Sequence, residues 1–386
     1  MSQPEGFIDS KYPLAVCKLQ KSLYGLKQAP KAWFDTLKMF LGSLGFMRSV
    51  SDSSLFFKKD NGALLLILVY VDDILLTGDD SSAVSKVINL LGDKFALKTM
   101  GEVNYFLGLE ATRTSHGSIF LNQSKYLRDL LAKTHLENCK SMSTPMALNL
   151  ELALGDSAEL ADPSPYRSTI GALQYLTLTR PDISFAINKL SQFLKNPTIN
   201  QWIAVKHLLR YLKGTQHLGI EFKPSQRPLI EGYSDADWAS NLDDRKSTGG
   251  HCIFFGGNLL TWTSKKQHVV SRSSAESEYR SLADTAADIV WLHSLFQELG
   301  IHFESPSVIW CDNVSAAALA SNPVFHARTK HIEIDVHFIR DKVLNKELDV
   351  RFVPIDKQVA NIFTKPLSAS QFQILRDTLV GYKSVP

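Results

Sequence analysis

The sequence has few cysteines and no long apolar run. Its cysteines, Cys17, Cys139, Cys252 and Cys311, stand far apart, and their spacing matches neither a zinc site nor a disulfide framework. We therefore expect free thiols, no disulfide partner and a reducing compartment. The longest apolar run, residues 63–71, is too short to cross a bilayer, and no signal-peptide pattern opens the chain. These absences predict an intracellular protein, cytoplasmic or nuclear, that has no membrane partner.

The chain also lacks a strong charge of one sign. Its 42 Lys and Arg residues nearly balance 39 Asp and Glu residues, and the net charge of +3 does not by itself indicate a nucleic-acid-binding protein. There is no internal repeat or low-complexity tract. A length of 386 residues with 44% hydrophobic residues predicts a globular chain of two or three domains.

Two adjacent aspartates interrupt the most apolar stretch of the chain, residues 54–78. The pattern predicts a strand, a hairpin turn at residues 60–62, a second strand, a tight bend at Asp72 and Asp73, and a third strand from Ile74. Burying two unpaired carboxylates costs several kcal/mol or more, so they need a cation, and a hard divalent metal suits their oxygens. Alternatively, both face solvent in a turn. The apolar flanks favour the metal, because so short a turn is expected not to lie clear of the sheet.

A basic stretch precedes this region. Between residues 18 and 38 lysines outnumber the single acid Asp35, and Trp33 and Phe34 lie among them. Aromatics in a basic stretch suit phosphate tracking with base stacking, but a solvated helix face with a few core aromatics has the same composition. Apolar residues recur at helical spacing after Pro30, which favours a helix that buries Trp33.

The middle of the chain predicts a linker and two helices. Residues 141–165 break all periodicity with Ser, Pro, Gly and Asp, which indicates a linker. Amphipathic helices are predicted from Pro181 and over about Trp202 to Leu212, the second with lysine and arginine near one face.

The last third of the chain alternates strands and helices. Strands are predicted at residues 229–235, 250–255, 259–263, 307–311 and 348–353, with helices at about 275–299 and 330–344. This order predicts an α/β layer fold with one mixed sheet. Asp235, Glu278 and Asp312 fall at strand ends or at a helix start, where the chemistry of an open α/β sheet is usually placed. We interpret Glu276 as part of a helix-capping box and Asp237 as a solvated turn acid.

Eight motifs in one order give the chain a family resemblance. They are QPEGF at 3–7, KSLYGLKQAPKAWF at 21–34, YVDD at 70–73, YFLGLE at 105–110, YSDADWA at 233–239, SSAESEY at 273–279, CDN at 311–313 and IFTKPL at 362–367. In this order they resemble the C-terminal part of a copia-type LTR retrotransposon polyprotein, which contains reverse transcriptase and ribonuclease H. The resemblance implies a truncated polymerase palm over residues 1–140, a linker with a helical thumb or connection over 141–228, and a ribonuclease H-like mixed-sheet domain over 229–370.

The resemblance also implies roles for particular residues. It makes Asp72 and Asp73 polymerase metal ligands, and it places Gly25, Gln28 and Tyr70 at the nucleotide and template. In the ribonuclease H family, two Mg²⁺ or Mn²⁺ ions lie about 3.5–4 Å apart. Asp235 would bridge them, while Glu278 and Asp312 would each support one; Glu276 is the rival of Glu278. The implied partner is an RNA–DNA hybrid or a template-primer duplex.

Two departures from the family pattern qualify these roles. Asn361 stands where copia-type sequences carry a fourth aspartate, and an amide oxygen can bind a metal without supplying charge. Asp335 is a conceivable substitute, although its helix face is more often simply solvated. The family's third polymerase aspartate lies upstream of QPEGF and is missing from this sequence, so we expect no polymerase activity and at most weak ribonuclease H activity. The alternative is a catalytically dead element remnant that at most binds nucleic acid.

Overall fold

The computed structural model describes residues 1–20, 23, 25–60, 62–114, 116–225, 227–321 and 332–382. Lys21 and Tyr24 of the basic stretch, Asn61 of the predicted hairpin turn and the start of the helix predicted at 330–344 lie outside the described residues. The chain divides into two compact units, one comprising residues 1–100 with 294–300 and the other 101–293 with 301–386.

The first unit is built on an antiparallel sheet with the order β1-β2-β3-β4. Its helices and strands are α1 (Ala29–Ser43), β1 (Met47–Arg48), β2 (Leu55–Asp60), β3 (Ala63–Tyr70), β4 (Asp73–Gly78) and α2 (Ser81–Lys94). Alternate residues of β3 are fully buried, so one face of the sheet forms the core. That core contains Leu37 and Leu41 of α1 and Val87 and Leu91 of α2. Trp33 packs against it, partly buried, as the helical spacing predicts.

The second unit begins with a sheet that is assembled from distant segments. Its order is β14-β8-β7-β6-β5, formed by β5 (Tyr105–Phe106), β6 (Leu109–Arg113), β7 (Ile119–Asn122), β8 (Leu218–Phe222) and β14 (Gly381–Tyr382). The pairing of β7 with β8 and of β8 with β14 is not apparent in the sequence, because these short strands carry little periodicity of their own.

Helices surround a large apolar core in the same unit. They are α3 (Ser124–Lys133), α4 (Ser164–Leu176), α5 (Ser184–Ser191), α6 (Ile199–Gly214) and α10 (Ala369–Leu379). Helix α4 was not predicted from the sequence, although its buried residues Tyr166, Ile170 and Leu173 stand at helical spacing. The predicted linker contains neither helix nor strand before Ser164, but Met146 and Leu152 within it are buried in the core. A Thr198–Gln201 capping box starts α6.

The mixed sheet of this unit has the order β11-β10-β9-β12-β13. Its strands are β9 (Ile230–Asp237), β10 (Thr248–Phe255), β11 (Asn258–Lys266), β12 (Ser307–Cys311) and β13 (Leu348–Phe352). Strands β9 to β11 pair antiparallel, and β12 lies parallel to both β9 and β13. The associated helices are α7 (Ser274–Leu299), α8 (Val314–Ser321) and α9 (Glu333–Leu344). This confirms the predicted α/β mixed sheet in ribonuclease H order. In the described part of the chain, no helix is both long and apolar enough to cross a membrane.

Candidate metal-binding and nuclease site

The paired aspartates of the first unit lie at a two-residue hairpin. Tyr70 pairs with Asp73, so Val71 and Asp72 form the turn between β3 and β4. Val71 has a φ of 49°, a region that β-branched residues rarely adopt. All four residues are exposed. The expectation that the turn is too short to lie clear of the sheet is therefore wrong, because the turn projects its carboxylates into solvent.

The other residues assigned to the polymerase site lie before α1. Gly25 is exposed with a φ of +90°, and no atom lies close enough to obstruct a side chain there. Gln28 is exposed at the start of α1. Within the described residues, no hydrogen bond joins either to the Asp72–Asp73 hairpin, and no third acid comes close enough to that pair to form a metal-binding group.

Strand register places two acids of the second unit side by side. Cys311 at the end of β12 pairs with Ser234 of β9, so Asp312 follows β12 at the level of Asp235. Asp235 is 1% exposed. Because both acids lie at the same edge of the sheet, they converge as the sequence analysis expected.

Helix α7 brings the third acid to the same edge. Glu278, in its first turns, is 7% exposed, and its Oε2 atom is buried without a hydrogen-bond partner among the described residues. The hydroxyl of Ser281 donates to the backbone carbonyl of Asp235 at 2.8 Å, which fixes α7 against β9. Ligand atoms of Glu278, Cys311 and Asp312 all lie within 4.8 Å of one another.

Burial and mutual repulsion raise the pKa values of two of the acids, Glu278 and Asp312. Burial raises the pKa of Glu278 to about 9, and the charges of Asp235 and Asp312 act in the same direction. Burial and the Asp235 charge raise the pKa of Asp312 to about 6. Carboxylates that hold protons at such pH values are destabilised as anions, and a bound cation would remove that penalty.

The segment after β13 supplies a cation and a hydroxyl to Asp235. The Nζ atom of Lys365 lies 3.3 Å from Oδ2 of Asp235, and the Thr364 hydroxyl donates to the same carboxylate oxygen. Burial acts to lower the pKa of Lys365, but the charges of Asp235 and Asp312 outweigh it and raise that pKa. The Gln358 amide donates to the Ser234 carbonyl at 2.9 Å and so holds the segment against β9.

Asn361 lies in the same segment, which is helical over Val359–Phe363. Its Nδ2 donates to the carbonyl of Ile355 at 2.9 Å. Its Oδ1 is buried and lacks a hydrogen-bond partner among the described residues. An unpaired buried oxygen is costly, and this one is of a type that a cation could bind.

The other acids that the sequence analysis weighed occupy distinct positions. Ser273 accepts from the backbone N–H of Glu276, but the Glu276 carboxylate accepts from the N–H of Arg272 at 2.9 Å and not from that of Ser273, so the described residues form only one of the two bonds of the predicted capping box. The interpretation of Asp237 as a solvated turn acid is wrong: it ends β9, half-buried, and burial raises its pKa. Asp335 lines a cleft of about 410 Å³ together with Arg280 and Asp284.

The residues present fit a hard divalent cation. Glu278 and Asp312 offer carboxylate oxygens in one close group, Asp235 lies beside them at the same edge of the sheet, and the buried Oε2 of Glu278 has an unsatisfied lone pair. The residues near the acids that were not predicted from the sequence are Cys311, Thr364 and Lys365, although all three lie within motifs that carried the resemblance. The missing signal was proximity to Asp235, since Thr364 and Lys365 are separated from it by 129 and 130 residues.

The order of the mixed sheet, with acids from β9, from α7 and from the residue after β12 at one edge, is that of a ribonuclease H-like domain. In agreement with a polymerase palm preceding it, residues 1–148 match the family described as "Reverse transcriptase (RNA-dependent DNA polymerase)". The chain belongs to the copia-type LTR retrotransposon Pol proteins.

Two transposon proteins agree with this membership. The chain is 48% identical to the "Retrovirus-related Pol polyprotein from transposon RE1" of Arabidopsis thaliana, over 100% of this chain and 26% of the relative. It is 31% identical to the "Putative transposon Ty5-1 protein" of Saccharomyces cerevisiae, over 75% of this chain and 94% of the relative. The chain thus spans about a quarter of the length of the RE1 polyprotein. A solved foamy viral protease-reverse transcriptase in complex with dsDNA has a TM-score of 0.43 and 14% identity, over 86% of this chain and 60% of that one.

Proposed function

We propose that the ribonuclease H-like domain cleaves the RNA strand of an RNA–DNA hybrid in the presence of Mg²⁺ or Mn²⁺. The observation that carries this proposal is the convergence of Glu278 and Asp312 with Asp235 at one edge of the mixed sheet. The domain boundaries that go with it are those expected above: palm over residues 1–140, linker with thumb or connection over 141–228, and nuclease over 229–370.

The divalent cations would be held by Asp235, Glu278 and Asp312, with Asn361 as a neutral fourth ligand. When bound, such ions supply charge stabilisation and an activated water for phosphodiester hydrolysis. The chain's own part is to hold its acids in place at one edge of the sheet. The Thr364 hydroxyl and the Ser281 hydroxyl fix Asp235 through its carboxylate and its backbone.

The polymerase half is proposed to be inactive in this chain. Asp72 and Asp73 lie exposed on a hairpin, and the described residues bring no third carboxylate to them. Charge stabilisation of a transferring phosphoryl group depends on such a set, and loss of one charged member typically reduces the rate by orders of magnitude. Gly25, Gln28 and Tyr70 then serve at most to contact the template-primer duplex.

Cleavage of a labelled RNA–DNA hybrid tests the nuclease proposal. The native chain should release RNA fragments in Mg²⁺ and more of them in Mn²⁺, and EDTA should stop the reaction. Asp235→Asn should abolish cleavage. The matched control is Asp341→Asn, which removes an exposed acid of the same unit from α9 and should leave cleavage unchanged.

A second function, nucleic-acid binding without cleavage, is favoured by the contacts that the Asp235 carboxylate already makes. That carboxylate already has an ammonium and a hydroxyl as partners, and Asn361 brings no charge to the site. These features are consistent with a remnant that binds nucleic acid without turning it over. If hybrid binding persists while the native chain and Asp235→Asn show the same absence of cleavage in saturating Mn²⁺, the binding function replaces the nuclease.

A further inference from the structure

Lys365 carries a positive charge in a cluster of acids. Its ammonium lies 3.3 Å and 3.4 Å from the two carboxylate oxygens of Asp235. Asp312 and Asp237 add their charges to the same environment. The side chain is 28% exposed, so the ammonium has a route to solvent, while Asp235 is almost fully buried.

The position of Lys365 is fixed by the fold of its segment. The Ser264 hydroxyl donates to the carbonyl of Phe363 at 2.6 Å, and Gln358 binds β9. Thr364 next to the lysine is tied to Asp235 itself. The lysine stem therefore starts from an anchored backbone, while its terminal atoms can rotate.

We propose that Lys365 is a built-in counter-cation, which holds the Asp235 carboxylate in the metal-free protein and competes with the divalent cation for it. This rests on the proposed function only in taking Asp235 as a metal ligand. An ammonium and a divalent ion at the same carboxylate repel each other, because both are positively charged. A divalent ion must therefore bind against the charge of Lys365 or displace its ammonium, and the lysine weakens metal binding while it keeps the metal-free cluster neutralised.

The test measures Mn²⁺ binding to the full chain without nucleic acid, from the electron paramagnetic resonance signal of free Mn²⁺. Lys365→Met should bind Mn²⁺ at least about ten-fold more tightly than the native chain, because a competing charge is removed. Lys365→Arg keeps the charge and should bind with nearly native affinity. The matched control is Lys357→Met, an exposed lysine of the preceding turn, which should also be unchanged.

Stability in EDTA provides a second readout. Lys365→Met should unfold at a lower temperature than the native chain in EDTA and should gain more from added Mn²⁺, because its acids lack their counter-charge. Circular dichroism checks that the variant is folded. If Lys365→Met does not fold, Lys365→Gln, which keeps a hydrogen-bond donor without the charge, takes its place in both measurements.

The outcomes separate this inference from the nuclease proposal. Equal or weaker Mn²⁺ binding by the neutral variants overturns the role of Lys365, even if the native chain cleaves hybrids. Absence of Mn²⁺ binding by every protein overturns both the counter-cation and the metal site. The inference is supported if Lys365→Met and Lys365→Gln bind Mn²⁺ more tightly than the native chain does, while Lys365→Arg binds it with native affinity. This conclusion does not depend on whether hybrids are cleaved.

Discussion

Gly250 of β10 lies directly against Phe363, so closely that a Cβ atom added to the glycine would be 2.6 Å from the Cβ of Phe363 and 2.9 Å from Cγ2 of Thr364. Gly250 is also the residue that pairs with Asp235 in the sheet. Because Gly250 has no side chain, the segment with Thr364 and Lys365 can approach Asp235, which both of these residues contact.

Gly250→Ala should therefore disturb stability and the site together. A Cβ contact below 3 Å forces the Phe363–Thr364 backbone away, at a cost of about 1–3 kcal/mol. We expect a lower thermal midpoint and weaker hybrid cleavage. Gly171→Ala is the control, because nothing lies within 4 Å of its added Cβ and it sits inside α4, where alanine is favoured. If Gly250→Ala is as stable as the native chain, the Phe363–Thr364 backbone can move away without lowering the free energy of unfolding.

Crowding of the acids predicts a pH dependence of stability in EDTA. The pKa of Glu278 is raised from 4.5 to about 9 in the folded protein, so between these values the folded form holds a proton that the unfolded chain has released. Stability should therefore fall as pH rises through this window, by on the order of 2–4 kcal/mol. Asp312, with its pKa raised to about 6, acts in the same direction at lower pH.

Denaturant unfolding at pH 5 to 9 measures this slope. Glu278→Gln has no carboxyl group to titrate, so its free energy of unfolding should decline less steeply as the pH rises. Glu304→Gln, an exposed acid outside the site, should keep the native slope. A native chain that becomes more stable as pH rises from 5 to 8 in EDTA would contradict the folded environment assigned to Glu278.

Sequence patterns predicted the ribonuclease H-like half better than the rest. Strands β9 to β12 and helix α7 lie close to their predicted ranges, so their order and the convergence of Asp235 with Asp312 follow from elementary rules of sheet topology. Strand β8 pairs with strands far away in the chain, which periodicity does not reveal. Helix α4, in contrast, has its buried residues at helical spacing and could have been predicted.

Of the residues in the site, only the acids could be predicted from the sequence. The approach of Lys365 to Asp235 depends on Gly250 and on the backbone anchors of the last segment, which are tertiary features. The exposure of Asp72 and Asp73 was misjudged for a related reason. Apolar flanks predict a buried strand but do not determine how far its hairpin projects beyond the sheet.

Polymerase activity should be absent from the chain. Purified protein with a primed template and all nucleotides should extend the primer no more than Asp72→Asn does, because the described residues supply no third carboxylate beside the hairpin. Primer extension resolved to single nucleotides, in Mg²⁺ and in Mn²⁺, is the measurement. Extension by the native chain that Asp72→Asn lacks would refute the prediction.

Residues 229–370 should be more stable together with the helices that precede them than alone. The Asn188 amide donates to the carbonyl of Ser264, and the Asn241 amide donates to Gln192. Phe363 shares an apolar core with the helices of residues 124–214. A fragment of residues 101–386 should therefore melt cooperatively at a higher temperature than one of residues 229–370, which we expect to fold as a domain of typical size.

Equal melting temperatures for the two fragments would show that these contacts add nothing to the stability of residues 229–370. A non-cooperative melt of residues 229–370, without a dispersed amide spectrum, would instead show that the proposed domain boundary at 229 is wrong.

Asn361→Asp should increase ribonuclease H activity and reduce stability in EDTA. The carboxylate adds the charge that the family pattern has at this position, so metal binding should be firmer and cleavage in Mg²⁺ several-fold faster. The change also removes the donor that binds the Ile355 carbonyl, at a cost of about 1–3 kcal/mol without metal. Mn²⁺ tolerates poorer geometry and should narrow the difference in activity between the two proteins.

Cleavage of a labelled hybrid across a metal titration distinguishes these effects, with Asp235→Asn as the inactive control. Asn200→Asp, which adds the same charge at an exposed position of α6, should leave the metal dependence unchanged. The stabilising effect of Mn²⁺ on Asn361→Asp should exceed its effect on the native chain, since only the variant offers a fourth carboxylate. Equal activity of the native chain and Asn361→Asp in saturating Mg²⁺ would mean that Asn361 does not occupy the fourth metal-ligand position.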